Sequence, residues 1–265
     1  MKKLPVTGAM SHALSSTRNF IGFAFYISWP WILMLLPLNV AVNLYLVNHN
    51  LTDPTKYNGT ASALTFILSA ANILVYSSIA VNWHRFVLLD DVPVGLQRLR
   101  LDGLTLRYFF NVIGIMFMVG LLAAICMVPV GILLAMFGGT LHGLPAFLFG
   151  LAILPIVGFL LVSFYRLSVK LPAVALGRTD FTFGNAWRAT SDNFWQFLGL
   201  FLLFLICTVI VLLALLMAAF IFRSFGLAGL SISLAMQVMV NWLMTILGVT
   251  LLTSLYGFFV EGRDF

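Results

Sequence analysis

Charge is what this sequence has least of. Only 8% of its 265 residues are Asp, Glu, Lys or Arg and 62% are hydrophobic, against about 25% and 45 to 50% in ordinary soluble domains. A chain of this composition cannot clothe a water-facing surface, which excludes a soluble globule. It also offers no basic stripe on a soluble domain, so a nucleic-acid partner is excluded. Cysteine is almost as scarce. Cys126 and Cys207 both fall inside apolar stretches, where a thiol packs as a small hydrophobe, and their spacing suits neither a disulfide framework nor a metal site. His12, His49, His84 and His142 are scattered, with no two placed to share a metal. A glycine-rich phosphate loop, a nucleophile elbow and a metalloprotease pair are all missing. No catalytic residue, metal ligand or cofactor is therefore assigned, and the chain reads as non-enzymatic.

The apolar residues are gathered into long blocks. A run of about 18 or more is the mark of a membrane span, and six such blocks lie near residues 20–47, 61–83, 108–137, 144–168, 194–222 and 231–260. Phe197 to Phe222 holds no charged residue, and each Leu, Ile, Phe or Val near a helix centre contributes roughly 0.3 to 0.6 kcal/mol toward insertion. The fold expected is an all-α, polytopic transmembrane bundle of about six spans in one membrane domain over residues 1–265. Two elbows, 84–107 and 169–193, would carry short interfacial helices. Lys2 and Lys3 suit the start of a signal peptide. Pro5, Ser11, Ser15, Ser16 and Arg18 then intervene before a block long enough to span, so we read a retained first helix behind a short tail.

Charge placement sets the orientation. Lys and Arg are retained in cytoplasmic loops. With six spans, twelve of the fourteen basic residues fall on the side of the two elbows and both termini, leaving Lys56 and Arg223 opposite. Both ends are thus expected in the cytoplasm. Seven of the eight acidic residues share that face, all except Asp53, so its positive surplus is moderate and suits anionic lipid head groups.

The elbows are patterned. In Gln97 to Arg107, apolar and polar residues alternate around Asp102-Gly103, which is a hairpin signal. The alternative is that Asp102 caps the third span while the preceding residues lie along the membrane surface. In the second elbow Pro172 should end or turn the fourth span. Thr182 should cap a short helix over Phe183 to Ala189, with Phe183 and Trp187 on one face, and Ser191 or Asp192 should cap the fifth span. Arg85, Arg98, Arg100, Arg166, Lys170, Trp187, Arg188 and Trp195 are the candidate contacts for membrane lipids or another membrane protein.

The second elbow also carries a likeness. Leu171-Pro172-Ala173-Val174-Ala175-Leu176-Gly177, Ala186-Trp187-Arg188-Ala189-Thr190 and Asn193-Phe194-Trp195-Gln196-Phe197 together resemble a block of poorly characterised six-span bacterial proteins. Among these are the YciC-like proteins and the membrane domain attached to some glycerophosphodiester phosphodiesterases. Trp83-His84-Arg85-Phe86-Val87-Leu88-Leu89 is similar to a segment of alphaproteobacterial relatives. The resemblance implies a bacterial inner-membrane protein tied to lipids or envelope upkeep. No phosphodiesterase catalytic domain accompanies it, so that chemistry does not carry over.

Inside the spans no charge sits near a helix centre, which argues against a pump built on buried carboxylates. Amides are present: Asn39 and Asn43 in the first span, Asn72 in the second, Gln237 and Asn241 in the sixth. Helix-to-helix hydrogen bonding is their commoner use and is the one expected here, ahead of lining a polar path. Pro30, Pro37, Pro129 and Pro155 predict kinked or broken spans, and Ala214 with Ala218 suits a close helix contact.

Two functions follow: a multi-pass inner-membrane protein that binds lipid or a protein partner through its elbows, or a permease for a small or lipid-like molecule that uses the amides. The orientation is checked by paired reporters fused after Val260. Fluorescence from a cytoplasm-only reporter is expected there, and periplasmic phosphatase activity at that position would invert the assignment.

Overall fold

The computed structural model describes residues 2–51, 53–137 and 143–265, so His142 lies outside the described residues. Those residues contain no strand. In chain order the helices are α1 (Val6–Asn19), α2 (Ile21–Asn48), α3 (Gly59–Leu89), α4 (Gly103–Phe137), α5 (Leu144–Ser168), α6 (Lys170–Ala175), α7 (Phe183–Ala189), α8 (Phe194–Phe222) and α9 (Gly226–Phe259). Six of them, α2, α3, α4, α5, α8 and α9, are long and apolar enough to cross a membrane. At 1.5 Å per residue each is about 38 Å long or more, which exceeds the roughly 30 Å hydrocarbon layer. The all-helical, six-span architecture is therefore as expected, and the protein is an integral membrane protein.

The spans are not equivalent. α3 and α9 are the most buried, whereas α4 and α8 are almost wholly peripheral. Lipid is as apolar as leucine, so nothing drives a peripheral helix to hide its outer face. Burial is concentrated at one end, where the N-terminal arm, both elbows and the tail after Phe259 meet. There the Leu4 backbone N–H donates to Asn193 Oδ1 at 2.9 Å, and Asn193 Nδ2 donates to the Lys2 carbonyl at 3.3 Å. Arg85 reaches the Ala175 carbonyl at 3.4 Å, Arg178 donates to the Tyr256 hydroxyl at 2.9 Å, and Tyr26 donates to the Pro93 carbonyl at 3.2 Å. Lys2 pairs with Asp264 and Lys3 donates to the Asp192 carbonyl. The segments grouped by their positive charge thus share one end of the bundle.

The first elbow forms no hairpin. Gly95–Arg98 is a single 3-10 turn, and Asp102 caps α4 by accepting from the Thr105 backbone N–H at 3.0 Å and its hydroxyl at 3.2 Å. A lone two-stranded ribbon is marginal in water, while a helix start leaves bare N–H groups that an Asp satisfies at once. In the second elbow Pro172 has no N–H for the Ser168 carbonyl. α5 accordingly ends at Ser168, and the chain resumes as α6 with Pro172 in its first turns. Thr182 caps α7 through the Asn185 N–H at 3.2 Å, as expected.

Several expectations need correction. The residue at the α8 N-cap is Asn193, neither Ser191 nor Asp192. Asp192 adopts φ +60°, a left-handed conformation that Asp tolerates, and the Asn193 amide is used to hold the N-terminal arm. The short tail is in fact helix α1, whose Ala9, Met10, Ala13 and Thr17 form one buried stripe against α8 and α9. α3 continues past Trp83 to Leu89, which carries Trp83 and His84 into the interior rather than to the elbow surface. Of the kinked or broken spans expected at the prolines, the breaks are absent, since α2 runs through Pro30 and Pro37, α4 through Pro129 and α5 through Pro155. Of the small-residue pair, Ala214 is exposed and only Ala218 lines a groove toward α9.

At the opposite end the turn from α8 to α9 is tight. A Cβ added to Gly229 would lie 1.8 Å from the Phe222 carbonyl oxygen, so only glycine permits this approach. Gly229→Ala is expected to lose about 3 kcal/mol of stability, an upper overpacking value, as measured by denaturant titration in mixed micelles. Gly120→Ala, with nothing within 4 Å of the added carbon, should be silent.

Candidate functional site

α2 and α9 both pack on α3, but they do so over limited stretches. At the elbow end Ala24, Ile27, Trp31, Val75, Ile79, Trp83 and Ile246 form a closed apolar cluster. At the far end Val42, Leu46 and Ala61 close α2 onto the start of α3. Between these two seals is a cavity of about 380 Å³, whose lining includes Asn39, Asn43, Asn72, Gln237 and Asn241 together with Trp31, Tyr76 and Trp242. All five intramembrane amides picked out by residue type converge on this one space. Asn72 stands roughly 20 Å along α3 from Gly59, which places the cavity well inside the membrane. Asn43, Gln237 and Asn241 are exposed on the protein surface, so the cavity is a cleft open at its rim.

The amides do not bridge helices. Asn39 Nδ2 donates to the Leu35 carbonyl at 2.9 Å, Asn43 to the Asn39 carbonyl at 2.8 Å and Asn72 to the Leu68 carbonyl at 2.8 Å, each within its own helix. The expected helix-to-helix pairing is therefore corrected: α2 and α9 meet through apolar groups, with Phe25 edge-on to Trp242 at 6.1 Å, and among the described residues none of these amides bonds to another helix. Each bonded asparagine keeps one N–H and its carbonyl oxygen for other use. The Gln237 and Asn241 side chains bond to no group among the described residues. Two indole donors add to this surplus, because Trp31 Nε1 and Trp242 Nε1 are buried without a partner. Buried donors are nearly always satisfied, and in lipid no bulk water competes for them.

Both tryptophans were legible in principle. Trp31, Leu35 and Asn39 follow one another at four-residue steps, so all three share a helical stripe. Trp242 follows Asn241 directly. A mid-span indole beside an amide was the signal, since Trp otherwise favours the membrane interface.

The cleft continues into a second cavity of about 490 Å³, apolar throughout, which shares Ile32, Leu36, Val238 and Trp242 with it. A third, of about 310 Å³, lies on the α8 side and shares Gln237 and Asn241. Those two side chains thus stand where the polar space meets the largely apolar groove on the α8 side.

The elbow candidates are arranged differently. Arg85 Nε meets Asp91 at 2.6 Å, and Arg100 lies 3.3 Å from Asp102 and 3.9 Å from Asp91. Arg98 donates to the Gly95 carbonyl at 2.9 Å and lies over Tyr26, with Trp29 further off. Arg166 donates to Thr190 Oγ1 at 3.0 Å and to the Trp187 carbonyl at 2.6 Å while stacked 3.7 Å from the Trp187 ring. Lys170, one turn on, sits 3.8 Å over Phe183. Two cations at i and i+4 thus clasp the two aromatics of α7 at the same spacing, so these side chains hold the elbow together. Arg188 is exposed, as are Trp187 and Trp195, the last at 75%. Nearby, hydrogen bonds from Arg178 hold the Asp180 carboxyl below the usual carboxylate range.

His84 turns away from Asp90 and Asp91. Thr253 already donates its hydroxyl proton to the Val249 carbonyl, so His84 Nδ1–H donates to Thr253 Oγ1 at 2.8 Å and Nε2 accepts from the Tyr108 hydroxyl at 3.2 Å. This joins three helices and presents no reactive group. Among the described residues no cluster of three or more His, Cys, Asp or Glu could hold a metal.

Fold and site together define a polytopic α-helical membrane protein with an uncharged, amide-lined cleft opening within the bilayer. No family model, curated protein or solved structure matches the chain.

Because Gln237 and Asn241 have no side-chain partner among the described residues, Gln237→Leu and Asn241→Leu are expected to leave the ligand-free protein's melting temperature unchanged or raised. His84→Leu, which strands the buried Tyr108 hydroxyl, should cost about 2 kcal/mol or more. Differential scanning fluorimetry and denaturant titration in detergent read both.

Proposed function

We propose that this protein binds a membrane-resident amphiphile in the cleft between α2, α3 and α9, acting as a non-enzymatic, multi-pass protein of the bacterial inner membrane with its elbow end in the cytoplasm. The observation that carries this reading is the convergence of five amides from three helices on one cavity, none of which bonds to another helix among the described residues. Polar side chains in a span are expensive and tend to be functional. Where they do not hold helices together, a polar ligand group is the remaining use for them. The apolar annex beside the cavity offers room for a tail, and the combination of apolar walls with a few convergent polar groups is what small-molecule sites have in common.

Orientation rests on the lopsided Lys and Arg distribution, and the bacterial inner membrane rests on the likeness to YciC-like proteins. The elbows then serve as a folded cap at the head-group layer, with Trp187, Arg188 and Trp195 meeting lipid there. Binding is favoured over a permease path because Trp31, Ile79, Trp83 and Ile246 pack the elbow end of the cleft shut.

Native mass spectrometry of the full chain extracted from its own membranes tests the reading. A lipid-sized adduct is expected on the wild type and should fall at least tenfold on the Asn39→Leu, Asn241→Leu double variant. Equal retention by the two proteins would overturn it.

A further inference from the structure

Resting on that reading, we infer that the cleft selects an amphiphile with an uncharged head group rich in hydroxyl and carbonyl oxygens, and discriminates against phosphate- or amine-bearing lipids. Among the described residues, the lining contains no Asp, Glu, Lys, Arg or His in the polar cavity or in either groove that shares residues with it. An ionised head group there would have no counter-charge in a medium of low dielectric, where an unpaired ion is strongly disfavoured. At the elbow end Arg98 is held over Tyr26 and Trp29 of α2. Tyr26 precedes Asn39 by 13 residues on α2, roughly 20 Å along the axis. No phosphate seated among the amides could reach it.

The functional groups present specify the complement. Asn39, Asn43 and Asn72 each retain a donor and an acceptor, and Gln237 and Asn241 retain both in full. A group that both gives and takes hydrogen bonds, such as a hydroxyl, satisfies them. Trp31 is only 5% exposed, yet its indole N–H has no partner, and the buried Trp242 N–H is in the same position. An indole can only donate, so these two call for acceptor oxygens, which ester carbonyls or sugar hydroxyls supply. The apolar cavity shares Trp242 and Val238 with the polar one, so a chain leaving such a head group enters apolar surroundings directly. The same chemistry has two sources, a simple acylglycerol or a glycosylated one.

The test uses the delipidated full chain in neutral detergent, titrated separately with dioleoylglycerol, glucosyl-dioleoylglycerol and dioleoyl-phosphatidylglycerol, with one-to-one adducts quantified by native mass spectrometry. At least one neutral lipid is expected to bind tenfold or more tightly than phosphatidylglycerol. Binding of dioleoylglycerol would identify the glycerol hydroxyl and ester carbonyls as sufficient, and binding of the glucosyl lipid alone would identify the sugar. Trp31→Phe should weaken the neutral adduct at least tenfold while leaving residual phosphatidylglycerol binding unchanged. Asn241→Leu should do the same, and it keeps the test valid if Trp31→Phe fails to fold, since its side chain has no partner among the described residues. Equal or tighter phosphatidylglycerol binding with the same variant sensitivity would overturn the head-group inference and leave the cleft as the binding site. Adducts indifferent to both variants, or no adduct at all, would overturn both.

Discussion

The bundle depends on a stripe of hydroxyl groups along the elbow half of α9. Helices in lipid gain nothing from hiding apolar surface against one another, so close packing and directional bonds must hold them. Thr250, Thr253 and Ser254 each donate their proton to a carbonyl one turn back in α9, at 2.8, 2.9 and 3.0 Å. Their oxygens remain free to accept from other helices. Thr17 of α1 donates to Thr250 at 3.1 Å, His12 of α1 meets Ser254 at 3.0 Å, and His84 of α3 meets Thr253 at 2.8 Å. One helix face therefore fastens two neighbours and, through Tyr108, a third.

That fastening is confined to one half of α9. Beyond Ile246 toward its start the stripe gives way to Trp242, Asn241 and Gln237, whose side-chain polar groups bond to no other helix among the described residues. The tight end fixes where α2 and α9 leave α3, and their separation beyond that point opens the cleft. Stability and a binding site are thus divided along the length of the same helix, with the Trp31, Ile79, Trp83 and Ile246 cluster as the boundary.

The electrostatics divide the same way. Cations at the elbow end are matched to carboxylates or laid on aromatic faces: Arg85 on Asp91, Arg166 on Trp187, Lys170 on Phe183. Exposed pairs of this kind are individually weak, but here they fold each elbow back onto the helix that leads into it and so shape the cap. The polar groups lining the cleft are neutral: amides, indoles and the Tyr76 phenol. Formal charge stays in the head-group layer, and hydrogen-bonding capacity without charge is carried deeper.

The membrane-spanning helices, their number and the grouping of charge at one end were readable from residue order alone, because partitioning into lipid is a summed local property and needs no knowledge of neighbours. Local caps were readable for the same reason, as Thr182 shows. The amides could be singled out too, since any polar residue in a greasy block stands out. Their role could not be read, because whether Asn39 meets Asn241 or faces an open space depends on how far apart two helices some two hundred residues distant are held. The same limit hid α1, whose stripe of Ala9, Met10, Ala13 and Thr17 is too weakly apolar to announce a helix until α8 and α9 supply its partners. It also hid the inward turn of the elbow arginines and the use of Asn193 as a clasp rather than a cap. Lipid sorts a chain by composition, residue by residue, whereas hydrogen-bond partners are set by distance in three dimensions, and only the packed bundle decides those.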